Sequence, residues 1–198
     1  MIESEPVLIQ EEPLNDQERK TLLTLARQAL ELGVFGKELP PLNLKSLSSR
    51  LQRPGASFVT LTIDDNLRGC VGALEATQPL AEDVRLHAVA AALQDYRFPP
   101  VIPEEIPLIK IEVSCLTPLQ KLEYTSPEDL ISRLQPGVDG VVLTDGIRRA
   151  TFLPQVWKKV PEAVIFLNLL CEKMGASPDL WRRKMLEIYT YQVEEFHE

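Results

Sequence analysis

Basic residues are in deficit: 21 Lys and Arg stand against 29 Asp and Glu in 198 residues, a formal net charge of −8. That balance disfavours broad docking onto phosphate backbones or an anionic bilayer, although a local basic cluster can still hold a small anion. Nucleic acid and membrane are therefore not expected partners. Histidine is nearly missing, with His87 and His197 alone, and the three cysteines Cys70, Cys115 and Cys171 are far apart and odd in number. No disulfide framework or Cys-x-x-Cys motif is present, and so few residues offer no zinc-ligand spacing. Neither a structural metal nor a cofactor is expected. The apolar run at 163–167 stops far short of the roughly 18 residues a membrane-spanning helix needs. The first twelve residues carry four Glu, no positive charge and no apolar h-region, so a secretory signal is not expected and the chain reads as cytoplasmic.

What is present is ordinary globular material, 44% hydrophobic and 25% charged, with 6% aromatic residues. A chain of this length buries roughly 70% of its unfolded surface, enough for one domain or two small lobes. Asn15 and Glu18 stand at capping-box spacing before Leu22, Leu25, Ala26, Ala29 and Leu32, predicting a helix that stops at Gly33. Residues 39–54, rich in Pro and Ser, read as a connector that can hold a short helical turn and as a lobe boundary. Val59, Leu61 and Ile63 alternate with threonines, Asp64, Asp65 and Asn66 supply a turn, and 67–74 resumes an extended pattern, so a hairpin is expected. A helix should open at Pro79 and end before Arg97-Phe98-Pro99-Pro100. Ile109, Ile111, Val113 and Cys115 mark a strand with one dry face, Asp145-Gly146 predicts a two-residue hairpin turn, 162–174 reads as a buried helix closed by Gly175, and 186–196 as one final strand. One-sided strands and hairpins mixed with helices, without regular strand-helix alternation, give an α+β class with a mainly antiparallel sheet.

Chemistry is most concentrated at Arg68-Gly69-Cys70-Val71-Gly72. Period-2 geometry puts Arg68 and Cys70 on one face, roughly 7 Å apart, where a guanidinium favours a thiolate, while Gly69 and Gly72 allow a ligand or another backbone to come close. The bland alternative is a core cysteine with glycines that relieve crowding. Cys115 and Cys171 sit in apolar patterns and are expected in the core. His87 borders an apolar helical stripe, and only the fold can bring it to Cys70. Asp95 and Arg97 sit on a stiff corner ended by two prolines, either as a structural brace or aimed at a pocket. Of Arg148 and Arg149 at most one can face inward; a two-residue loop pairs Arg149 with Val142 and makes it the candidate to converge with Arg68 on an anion.

Three segments in order, Leu67-Arg68-Gly69-Cys70-Val71-Gly72, Asp95-Tyr96-Arg97-Phe98-Pro99-Pro100 and Arg149-Ala150-Thr151-Phe152-Leu153-Pro154, resemble the hallmarks of the AMMECR domain family. Pro136-Gly137-Val138-Asp139-Gly140 and the ending Tyr191-Gln192-Val193-Glu194-Glu195-Phe196 resemble its bacterial form, AmmeMemoRadiSam system protein A. The resemblance implies one domain over residues 16–196, preceded by an extension at 1–15, with a larger and a smaller lobe around a cleft. It also implies association with a Memo-like protein and a radical S-adenosylmethionine protein in a modification pathway. The chain lacks Cys-x-x-x-Cys-x-x-Cys and so does not itself hold the radical cluster. Its main departure is Tyr96, where relatives carry a small residue or proline; if the corner lines a pocket, the ring narrows it. Two functions stand. One is an adaptor or substrate-binding module that presents a small molecule or protein to the partner enzymes, with Gly69 and Gly72 shaping a docking groove, Arg68, Asp95, Arg97 and Arg149 as further binding residues, and a buried, inert thiol. The other is an enzyme with Cys70 as nucleophile or covalent carrier, its pKa lowered by Arg68, and Arg149 holding a small anionic substrate.

Overall fold

The computed structural model describes residues 13–198, so the expected extension at 1–15 lies almost wholly outside the described residues. The first helix, α1 (Asp16–Val34), opens on the predicted capping box: the Asn15 side chain accepts from the Glu18 amide at 3.0 Å and Glu18 accepts from the Asn15 amide at 2.9 Å. The helix runs past the expected stop at Gly33, and the residue with left-handed φ that follows its end is Gly36. Gly33 instead lets two helices come together, since a Cβ there would lie within 2.9 Å of the Val89 side chain. The stretch 39–54 is no lobe boundary. It holds a 3-10 turn (Leu44–Ser46) and α2 (Ser49–Gln52), and Leu51 plugs the same core as α1.

The predicted hairpin forms from β1 (Pro54–Ile63) and β2 (Asn66–Gly72), with Asp64 and Asp65 both at positive φ, the two-residue turn that matches strand twist. The short β3 (Gln78–Pro79) pairs with the start of β1 and leads into α3 (Leu80–Leu93), for which Pro79 is the cap rather than the first helical residue. Next come a 3-10 segment (Pro103–Leu108) and β4 (Lys110–Leu116), whose Ile111, Val113 and Cys115 are buried as the alternation required. The smaller lobe carries β5 (Gln120–Lys121), α4 (Pro127–Arg133), β6 (Gly140–Thr144), β7 (Arg149–Phe152), a 3-10 segment (Pro154–Lys158), α5 (Ala163–Lys173) and α6 (Leu180–Arg183). The turn between β6 and β7 is four residues, not two: Thr144 pairs with Arg149, because the Asp145 carboxylate accepts the Ile147 and Arg148 amides and Gly146 alone takes positive φ. Arg149 is thereby moved off Val142.

The expected last strand is two. β8 (Glu187–Tyr191) joins the smaller sheet, in order β5-β8-β6-β7, while β9 (Val193–His197) crosses to the larger one, in order β2-β1-β4-β9. Gln192 between them accepts the Thr117 amide at 2.9 Å and donates its own to the Thr117 hydroxyl at 2.8 Å, so the two places where the chain passes between lobes are tied together. One core lies under α1 and α3; the other surrounds Trp157, Phe166 and Trp181. A third small cluster, including Phe58, Leu116, Val142 and Tyr191, joins the lobes. The architecture is α+β with antiparallel sheets.

Candidate functional site

Register decides which side chains meet. Cys70 pairs with Thr60, Thr60 with Glu112, and Glu112 with His197, so these four stand in one row across the larger sheet. Alternation sends their neighbours Val59, Val113 and Phe196 into the core under the helices, so the row faces the smaller lobe. Gln155 reaches this face and donates to Ser114 Oγ at 3.0 Å. The Thr60 hydroxyl lies 3.3 Å from Cys70 Sγ and donates to it. Cys70 is half-buried, and burial pushes its thiol up more than Thr60 and the Arg97 charge pull it down.

The main chain of Cys70 points out of the sheet, where its edge would otherwise lie open. Asp95 Oδ2 accepts the Cys70 amide at 2.8 Å, Arg97 donates to the Cys70 carbonyl at 3.3 Å, and the two side chains are themselves joined by bonds of 2.6 and 2.9 Å. The pair imitates the acceptor and donor of a neighbouring strand. Asp95 is buried, and the Arg97 guanidinium, outweighing desolvation, holds its carboxyl down at about 2. The corner is thus a brace first, and only Arg97 extends from it, with 44% of its side chain exposed.

Arg68 departs from expectation. The β1–β2 register slips between Leu61 and Thr62, leaving Arg68 in a bulge with no residue opposite. Its guanidinium turns to Glu105, making bonds of 2.7 and 2.8 Å, and donates to the Pro99 carbonyl at 2.9 Å. It pins the corner, its charge committed to Glu105 rather than turned to Cys70. Neither glycine opens a groove: a Cβ on Gly69 would lie 2.1 Å from the Ala91 carbonyl oxygen of α3, and the space beside Gly72 is filled by the Phe58 ring. Arg149 meets Glu75 at 3.0 Å in an exposed pair across the lobes, so it does not converge with Arg68. His87 lies 3.1 Å from Asp83, which also accepts from Ser57 at 2.6 Å. Tyr96 is 96% exposed and narrows nothing. Cys115 and Cys171 are buried as expected.

The smaller lobe brings groups that sequence reasoning did not nominate. Lys173, at the end of α5, donates to the Thr151 carbonyl at 2.8 Å and lies 5.0 Å from the Phe152 ring centroid. The residue is exposed as a whole, yet burial around its ammonium and the nearby Arg97 charge both lower its pKa, while Cys70 opposes them. Tyr191 Oη lies 2.8 Å from Thr151 Oγ1; burial, with a smaller push from Cys70, raises the phenol to about 12. A lone lysine ending an apolar helix reads in sequence as a complement to the helix dipole, and only the packing of the lobes brings its charge within electrostatic reach of Cys70. Two hollows lie elsewhere, one of about 280 Å³ by Arg50, Leu74 and Cys115, and one of about 360 Å³ by Gln155, Lys158 and Glu195.

This geometry predicts slow alkylation. Iodoacetamide should label Cys70 before Cys115 and Cys171, but with an apparent pKa above that of a free thiol, about 8.5. Rate against pH, read by mass spectrometry, checks this; a plateau below pH 7 would refute the neutral thiol.

The AMMECR1 family model matches residues 23–196. A protein of Methanothermobacter thermautotrophicus is 40% identical over 194 residues, covering 94% of this chain and 97% of its own. A protein of Methanopyrus kandleri is 38% identical over 199 residues, covering 94% and 91%. Among solved structures, an uncharacterized protein from Pyrococcus horikoshii has the same fold, with a TM-score of 0.86 at 33% identity and 93% of each chain covered. With the arginine-glycine-cysteine strand, its braced corner and the two-lobed fold all in place, the chain belongs to the AMMECR1 family.

Proposed function

We propose that this chain is a cytoplasmic substrate-binding component of a modification pathway, of the AmmeMemoRadiSam protein A type, working with a Memo-like protein and a radical S-adenosylmethionine protein. In this reading the mouth between the lobes holds a small anionic ligand against Arg97 and Lys173, with Cys70 beside it. The observation that carries the reading is that the 44% exposed Arg97 side chain and Lys173, whose pKa is lowered first by burial and then by the Arg97 charge, lie within electrostatic reach of each other. A bound anion would relieve that repulsion, and so gains more there than at either charge alone. The neutral thiol and the commitment of His87 to Asp83 favour binding over nucleophilic catalysis.

Calorimetric titration with inorganic phosphate and with a small dicarboxylate tests this. Lys173→Met, which keeps the length of the stem, should weaken the better of the two about tenfold. Equal affinity in both proteins would overturn the reading. One observation favours a second reading, a cysteine-dependent enzyme: the Lys173 ammonium lies within electrostatic reach of Cys70, where its charge would favour a thiolate. The alkylation profile separates the two.

A further inference from the structure

Among the described residues the two sheets have four edges. That of β2 is closed by Asp95 and Arg97 on the Cys70 main chain, that of β7 carries Lys173 on the Thr151 carbonyl, and β5 is only two residues long. Such devices keep an edge from pairing with other chains. β9 is treated differently. The bonds from Thr117 N to Gln192 O and from Glu198 N to Ile111 O set the ladder alternation, so the main-chain groups of Val193, Glu195 and His197 point away from β4. Among the described residues no hydrogen bond meets them.

Beside this edge lies the hollow of about 360 Å³, lined by Val138, Pro154, Gln155, Lys158, Val193 and Glu195 among others. Gln155 donates to Ser114, but its Oε1 is buried without a partner. A buried acceptor left without a donor is costly, so the Gln155 amide gains by turning Oε1 into the hollow, where a donor from outside can reach it. The wall that carries it is stiff: Trp157 stacks on Phe166 with ring centroids 3.7 Å apart and donates to the Asp139 carbonyl at 2.8 Å.

We infer that the open edge of β9 receives an extended peptide from a partner protein by strand addition, with a lysine of that peptide entering the hollow. The peptide main chain meets the outward groups of Val193, Glu195 and His197. The lysine ammonium supplies the donor for Gln155 Oε1 and meets the Glu195 carboxylate, while its aliphatic stem passes Val138, Pro154 and Val193. A cation also suits a chain of net charge −8. This site is separate from the mouth at Cys70 and does not depend on what binds there.

The test is amide hydrogen exchange by NMR on the full chain, with the capped hexapeptide Thr-Val-Lys-Val-Thr-Val as probe. Near saturation the probe should slow exchange at Val193, Glu195 and His197 about tenfold, while a peptide with Glu in place of Lys, or one N-methylated at alternate amides, should not. Glu195→Pro should abolish the protection, because it removes an outward amide but no ladder bond; a still-protected Phe196 amide verifies that β9 remains paired. Gln155→Leu should erase the preference for the lysine peptide over the glutamate one. Three results overturn the inference. Edge amides protected in the dilute chain and released when residues 1–12 are removed would assign the edge to the chain's own N-terminal segment. Protection that grows with protein concentration would assign it to a second copy. No protection, or equal protection by both peptides, would remove the strand addition or the lysine.

Discussion

Gly69→Ala should destabilise the protein by about 3 kcal/mol, near the upper end for an overpacked core. The added methyl would lie 2.1 Å from the Ala91 carbonyl oxygen and 3.1 Å from its carbon. Both are backbone of α3, so neither a rotamer change nor the yielding of a flexible tip relieves the clash; the helix must lift from the sheet. That movement would also disturb the Asp95 brace, which follows α3 directly. For a domain of this size the loss corresponds to a fall of roughly 10 °C in Tm, measurable by calorimetry or urea titration. Gly33→Ala is the control, since there the methyl meets only the Val89 side chain at 2.9 Å and alanine favours the helix. A change under about 1 kcal/mol is expected at Gly33. Equal, small effects at both sites would mean that β2 and α3 are not held as close as the structure has them.

Asp95→Ala should cost about 3 kcal/mol, because it strips the partner from the Cys70 amide and from Arg97 together. The pH dependence makes the assignment specific. In the folded chain the Asp95 carboxyl titrates at about 2, below its ordinary 3.8. Folding therefore favours its charged form: the stabilisation is fully present above pH about 4 and is lost as pH falls through the folded pKa. A depression of this size is worth about 2 kcal/mol for a side chain this buried. Glu105, held down by Arg68, adds to the same acid limb. Asp95→Asn keeps the shape and removes the titration, so the stability curves of wild type and variant should converge between pH 4 and 2. Parallel curves through that window would show that the carboxylate is not held by Arg97 and the Cys70 amide. The same variant should also loosen the edge of β2, seen as faster exchange at the Cys70 amide.

The arginine-glycine-cysteine segment and the aspartate-arginine corner belong to one device. Arg68 pins the corner through Glu105 and Pro99, Gly69 seats the strand on α3, and Asp95 with Arg97 closes the strand edge at Cys70. What this leaves beyond the brace is the half-buried Cys70 thiol and the exposed part of Arg97, with Lys173 and Tyr191 within electrostatic reach of Cys70. Much of the motif is scaffold for a small exposed remainder.

Local patterns were enough to read several elements. The Asn15 and Glu18 box opens α1, the Asp64-Asp65 pair makes its hairpin turn, Ile111, Val113 and Cys115 face inward, and Gly175 follows α5 at positive φ. Each depends on residues within a few positions of one another, where propensity, capping and period suffice. The α+β class followed from the same patterns, and the three ordered segments pointed to the family. Register and contacts between lobes were out of reach. A single slipped residue opposite Leu61 turned Arg68 away from Cys70; two extra turn residues moved Arg149; and a crossing at Gln192 split one apparent strand between two sheets. Alternation says which residues share a face but not where a bulge interrupts it, since the bulge is settled by Glu105, 37 positions away, as well as by β1. The meeting of Cys70, Arg97, Lys173 and Tyr191 joins residues more than a hundred positions apart and depends on how the lobes pack, which is why the composition of the mouth was decided by the tertiary structure alone.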